Sequence, residues 1–158
     1  MTFYRCIRIR GRQYNQLMQQ FRFYQPIQIR YNDIDAQGHV NNAKYITFIE
    51  FARIKYIVEI GLWAGESFLD LDLIVADSHV SYLAPTKLSQ SIKVGVRVSA
   101  IGNKSLTFQY QIEDEDSRKV LATAETVMVS FDYRTERTTP VSQDWRKMIS
   151  KYEGVDFD

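Results

Sequence analysis

Residues 43–60 read AKYITFIEFARIKYIVEI, a run without Gly or Pro. At 3.6 residues per turn it makes about five turns of helix. Lys44, Thr47 and Glu50 mark a narrow polar stripe, and apolar groups occupy most of the remaining circumference. Such a helix is expected to be largely buried. Asn41 or Asn42 can cap its start by accepting a hydrogen bond from a free N–H of the first turn, and Gly61 ends it.

Outward from this helix the period changes. Beyond residue 70, Ile92, Val94, Val96 and Val98 alternate with Lys93, Gly95 and Arg97, and Leu106, Phe108, Tyr110 and Ile112 alternate with Thr107, Gln109 and Gln111. A third run carries Leu121, Thr123, Glu125, Val127, Val129 and Phe131 in one phase, with Ala122, Ala124 and Met128 in the other. Period two predicts strands with one buried face, here the first-named phase of each. The short connectors GNKS (102–105) and EDEDSRK (113–119) predict an antiparallel meander, with a further strand ending before Pro85. Upstream, residues 13–24 suggest a short helix and 27–31 a short strand after a break at Pro26. Ser142 caps a last helix to about Tyr152 that turns Trp145 and Met148 inward. One long apolar helix and one sheet of long strands have few packing solutions, and the sheet must curve around the helix. The fold class is therefore α+β, and the apolar groups left on the sheet's second face predict a homo-oligomer built on a dimer.

The 158 residues suit one domain. A formal net charge of +1 gives no electrostatic reason for a nucleic-acid partner. The lone Cys6 leaves no disulfide framework and no zinc-ligand spacing, which predicts a reducing, cytoplasmic setting and no structural metal. No stretch approaches the ~18 apolar residues of a membrane span. Residues 1–32 carry Arg5, Arg8, Arg10, Arg12, Arg22 and Arg30 without one acid, so residues 1–23 read as a basic extension preceding a domain over 24–158.

Just before the long helix lies YNDIDAQGHVNNAKY, residues 31–45, polar where a plain turn would suffice. The first-turn N–H groups of the helix point back into this loop and, with the helix dipole, can polarise a carbonyl and stabilise an oxyanion. Asp33 and Asp35, two apart in an extended segment, point the same way, with Ile34 opposed. Gly38 permits a backbone closed to other residues and close approach of a substrate. A carboxylate beside an N–H pocket, without metal or cofactor, belongs to acyl transfer. Asp33 also fits a turn or cap role, His39 a structural hydrogen bond, and Asn41 and Asn42 a cap. Glu50, eight residues past Asn42 and roughly 12 Å along the helix, lies outside the first-turn site and reads as a partner for Arg53 or Lys44.

The stretch RYNDIDAQGHVNNAKYITFIEFAR, residues 30–53, resembles the signature of the hotdog-fold acyl thioesterases of the 4-hydroxybenzoyl-CoA thioesterase-like family, and the order of elements agrees from about residue 24 to 133. The resemblance implies a hotdog fold, a long central helix wrapped by a curved antiparallel sheet. It implies an enzyme that hydrolyses acyl-CoA thioesters to free acid and coenzyme A, which enters as part of the substrate and not as a cofactor. The second aspartate of the D-x-D pair, Asp35, becomes the catalytic carboxylate, as general base or as nucleophile. The backbone N–H near Asn42 holds the thioester carbonyl; a bacterial branch has a histidine there, so this chain departs from it at the side chain. The run HVNNAKYI is also similar to plastid acyl-carrier-protein thioesterases, whose D-x-N-x-H pattern falls on Asp35, Gln37 and His39, the glutamine being a departure. The resemblance thus implies Asp35, His39 and Asn42 for catalysis, with His39 orienting water or Asp35. It puts Gly38, Asn41 and Tyr45 against the substrate, the acyl chain running beside Tyr45 and Ile46. Lys87, Arg118, Lys119 and Arg134 are candidates for the coenzyme phosphates. An acyl-carrier-protein thioesterase, a non-catalytic acyl-thioester sensor and a dehydratase are the alternative readings.

Overall fold

The computed structural model describes residues 21–67 and 70–157. β1 (Phe23–Ile27) leads through a 3-10 turn (Tyr31–Asp33) into the long helix α1 (Asn42–Glu59). The strands β2 (Leu73–Tyr82), β3 (Ile92–Ile101), β4 (Ser105–Asp114) and β5 (Val120–Asp132) follow, then the two-residue β6 (Arg137–Thr138) and helix α2 (Gln143–Glu153). The sheet is antiparallel throughout, in the order β1-β3-β4-β5-β2, with β6 added to β5. Register shifts between Val75 and Asp77, Val98 and Ala100, and Ile112 and Glu113 mark bulges, which bend strands and let a sheet curl. This is the hotdog architecture expected of the sequence.

The helix forms where its pattern requires. Asn41 is the N-cap, its Oδ1 accepting from the Ala43 N–H at 2.9 Å, an interaction worth about 1 kcal/mol, and Gly61 at φ 80° takes the chain out of the helix. Tyr45, Phe48, Ile49, Ala52, Arg53, Tyr56 and Ile57 are buried. The expectation of a helix buried nearly all round is corrected, however: Ile46, Phe51 and Val58 remain 40–45% exposed. A single sheet covers one side of α1, and the other side lies open.

The strand phases hold for β3 and β4 and invert along β5 after Leu121, which is buried as expected. There the buried side is Ala122, Ala124, Thr126, Met128 and Ser130, while Thr123, Glu125, Val127, Val129 and Phe131 face the other way. Cross-strand neighbours give the reason. Phe108 pairs with Thr126, Tyr110 with Ala124 and Ile112 with Ala122. The β4 rings fill the inner layer, so β5 must supply small side chains beside them.

Residues 1–20 lie outside the described residues, and most of the basic extension and of the expected 13–24 helix fall there. Where that helix can be checked, at Phe23 and Tyr24, the chain is strand. The strand expected at 27–31 is displaced to Phe23–Ile27 because Pro26 does not break it. β1 is an edge strand, where a residue without an N–H is tolerated. Among the described residues no helix is long and apolar enough to cross a membrane.

α2 closes the end of the core. Ser142 caps it, accepting from the Trp145 N–H at 3.2 Å, and Ile149 is fully buried. Tyr56 meets Phe23, Phe108 and Tyr152 edge-on, contacts worth about 0.5–1.5 kcal/mol each. The Tyr56 hydroxyl donates a short hydrogen bond to Glu153 Oε1, which also accepts from the Val98 N–H at 3.1 Å. Burial holds the Glu153 carboxyl above the usual carboxylate range, against the opposing pull of Tyr56, the Val98 N–H, Arg97 and Arg22. The folded chain therefore binds this proton more tightly than the unfolded chain. The contribution is fully present below the unfolded value and is lost as pH rises through the raised folded value. Glu153→Gln keeps an acceptor for both donors and removes that loss. Denaturant unfolding at about pH 5 and about pH 8 should show wild type losing stability relative to Glu153→Gln at the higher pH; equal differences at both would contradict this.

Candidate active site

The loop that feeds α1 is tied at both ends by its own backbone. Asp35 N–H donates to His39 O at 2.8 Å and Gly38 N–H to Asp35 O at 3.0 Å, closing a tight turn, and Ile34 bridges Val40. Gly38 sits at the tip with φ 78° and nothing within 4 Å of where a Cβ would be. The glycine is thus required by the backbone, and its exposed face leaves a substrate room to approach. Asn41 N–H donates to Asp33 O and Val40 N–H to Thr86 O, both at 2.8 Å. The second bond fastens the loop to a segment more than forty residues away.

The two aspartates have separate tasks, and the extended segment expected to align them is instead a 3-10 turn followed by a bridge. Asp33 is buried at 6% exposure. Its Oδ2 accepts from the Arg30 N–H at 2.8 Å and its Oδ1 faces Lys44 Nζ at 3.3 Å, so it joins the turn to the first turn of α1. Asp35 is half-buried. Its Oδ1 accepts from the backbone N–H groups of Gln37 (2.9 Å) and His39 (3.2 Å), and no partner is found for Oδ2 among the described residues. One carboxylate oxygen is therefore fixed and the other is left over.

His39 reaches Asp35 through its main chain, and no hydrogen bond of its ring is found among the described residues. Asn42 is exposed, and its N–H, at the start of α1, likewise has no partner among the described residues, while Ala43 N–H goes to the cap and Lys44 N–H to Asn41 O. An open N–H at the positive end of an 18-residue helix is suited to a carbonyl oxygen. Asn41 is committed to the cap. Tyr45, read from the sequence as lining the substrate, is instead core at 3% exposure. Its hydroxyl donates to Thr86 Oγ1 at 2.8 Å and its ring meets Tyr82 edge-on at 5.1 Å. Desolvation by burial raises the Tyr45 hydroxyl above the usual phenol value, so it stays protonated and donating. The large apolar side chain exposed at this turn is Ile46, at 40%.

Two positioning residues were missed in the sequence. Thr86, fully buried, holds both Val40 and Tyr45, and Tyr82 donates to the Asn42 carbonyl at 3.1 Å. Both sit some forty residues from their partners, and nothing local signals them. Of the basic candidates, Arg118 pairs with Glu113 at 3.4 Å and Arg134 with Asp70 at 3.3 Å. Lys87 is exposed, directly follows Thr86, and has no ion pair among the described residues. Among those residues no group of His, Cys, Asp and Glu side chains is arranged to hold a metal ion.

A chain of this geometry has relatives. The long-chain acyl-CoA thioesterase FadM of Escherichia coli is 25% identical over 79% of this chain and 95% of its own. YsmA, an uncharacterised protein of Bacillus subtilis, is 27% identical over 57% of this chain, which spans 60% of YsmA. In the crystal structure of a thioesterase from Thermus thermophilus, complexed with coenzyme A and zinc, 98% of that chain superposes on 87% of this one with a TM-score of 0.76 at 29% identity. The family model described as the thioesterase-like superfamily matches residues 29–149. The chain belongs to the thioesterase-like superfamily.

Proposed function

We propose that the protein is an acyl-CoA thioesterase whose catalytic carboxylate is Asp35 and whose carbonyl-polarising group is the Asn42 N–H. The observation that carries this reading is the juxtaposition at the mouth of α1: a carboxylate pinned by two N–H groups through one oxygen, with an open helix-start N–H in the same loop. The thioester oxygen accepts from Asn42, which stabilises the negative charge that develops on it. Asp35 Oδ2 then either takes a proton from an attacking water or attacks the carbonyl itself to form an anhydride that water hydrolyses. Both routes consume one water and release the free acid and the coenzyme thiol. The roles of Tyr45 and Asn41 are structural support of this mouth, His39 holds Asp35 through its N–H, and Gly38 keeps the turn open.

Coenzyme A is favoured over a carrier protein because Lys87, beside Thr86 and hence beside the loop, offers a cation to the coenzyme phosphates. Coenzyme A enters as substrate, and no separate cofactor takes part. A reducing, cytoplasmic setting suits the single Cys6. β2 is an edge strand, and a second copy of this chain paired along its free backbone edge is the oligomer we propose.

Turnover of an acyl-CoA panel, followed by release of free thiol, tests the assignment. Asp35→Asn should lower kcat by about 10²–10⁴-fold with unchanged unfolding behaviour; a variant that keeps most of its activity would remove Asp35 from the chemistry. Binding without thiol release by wild type would favour an acyl-thioester sensor, and hydration of an enoyl thioester a dehydratase. Lys87→Ala should raise KM for acyl-CoA several-fold at constant kcat. No change in KM would relocate the phosphate contact.

A further inference from the structure

On the open side of α1, three turns from its start, lies a cleft of about 370 Å³. Its walls are Leu71, Leu73, Ile74, Val75 and Met128, with Glu50 and Arg53 from the helix. Arg53 is 5% exposed, yet its guanidinium is poorly matched. Nη1 donates to the Tyr110 hydroxyl at 3.2 Å, and Nη2 lies 4.0 Å from Glu50 Oε1, whose side chain is 63% exposed. Arg53 Nε has no partner at all, alone among the buried side-chain nitrogen and oxygen atoms of the described residues. Buried donors are normally satisfied, and a guanidinium cannot give up its charge. A charged donor left over in a largely apolar cleft, whose other polar lining is Glu50 and Tyr133, is complementary to a ligand with an apolar body and an oxygen acceptor at its end.

We propose that this cleft receives the far end of the acyl group and that Arg53 selects acyl chains ending in an acceptor oxygen, a hydroxyl or a carboxylate. This rests on the thioesterase reading above and deepens it. The path is visible along the helix: Ile46 and Glu50 are exposed and Ile54 half-buried, at i, i+4 and i+8 from the loop to the cleft. β2 runs alongside, its Tyr82 end at the Asn42 carbonyl and its Leu73–Val75 end in the cleft. From Asn42 to Glu50 and Arg53 the helix rises roughly 12–16 Å. With carbon–carbon bonds of about 1.5 Å in a zigzag, a chain of on the order of ten to twelve carbons spans that distance. Shorter acyl groups do not reach Arg53. Glu50 on the rim repels a carboxylate more than a hydroxyl, so the two kinds of terminus are separable.

The experiment compares kcat/KM for dodecanoyl-CoA, ω-hydroxydodecanoyl-CoA, ω-carboxyundecanoyl-CoA and butanoyl-CoA. Wild type should favour at least one oxygen-ended ester over dodecanoyl-CoA by about tenfold or more. The hydroxyl arm should lead, and Glu50→Gln should raise the carboxylate arm relative to it. In Arg53→Met the oxygen-ended to plain ratio should fall to about one. Val75→Trp, on the exposed wall, fills the cleft without touching the buried arginine and should depress all three long esters relative to butanoyl-CoA, which decides the matter if Arg53→Met does not fold. Hydrolysis with no preference for either oxygen-ended ester, a preference that survives Arg53→Met, or long-chain rates unmoved by Val75→Trp would overturn the inference while leaving the thioesterase reading intact. Absence of hydrolysis of every ester would overturn both.

Discussion

Everything at the mouth of α1 depends on one constraint: the loop before the helix has most of its backbone donors spent at defined places, and the Asn42 N–H at the helix start and one Asp35 carboxylate oxygen are left without partners among the described residues. Asp33, Asn41 and Thr86 do the spending. They close the turn, cap the helix and fasten the loop to the segment after β2. Burial of one side of α1 against the sheet then fixes where that leftover pair sits. Polar groups in such a loop are costly unless each has a partner, and the pattern of partners is what distinguishes holding residues from reacting ones.

The same rule applies at the cleft beside Arg53. The long open side of α1, the exposed start of β2 and the incompletely satisfied Arg53 follow from a sheet that covers only one side of its helix. Along the helix, its start at Asn42 carries the positive end of the dipole and Arg53, three turns on, places a buried cation.

Much of this was legible in the sequence because it is local. The run 43–60 announces its helix, Asn41 its cap and Gly61 its stop, and the β3 and β4 alternations give the right buried phases. What was not legible depends on contacts distant in sequence. The phase of β5 is decided by the rings of β4 beside it, not by its own larger residues. Pro26 belongs in a strand because that strand is an edge. Asp33 and Asp35 look equivalent as D-x-D, and only Lys44, the Arg30 N–H and the N–H groups of Gln37 and His39 separate them. Tyr45 reads as a pocket residue until Thr86, forty-one positions on, claims its hydroxyl. Arg53 pairs with Glu50 as their spacing suggests, at 4.0 Å, and only the unpartnered Nε beside that pair needs three dimensions to be seen.

The central claim is that a thioester carbonyl binds at the start of α1 and is polarised there before Asp35 acts. Isotope-edited infrared spectroscopy of a carbonyl-labelled acyl-CoA bound to the slow Asp35→Asn variant observes that bond directly. The account predicts a carbonyl band shifted to lower frequency than that of the same ester free in water, because an oriented N–H and the helix dipole weaken the double bond. A band at or above the free position would contradict it.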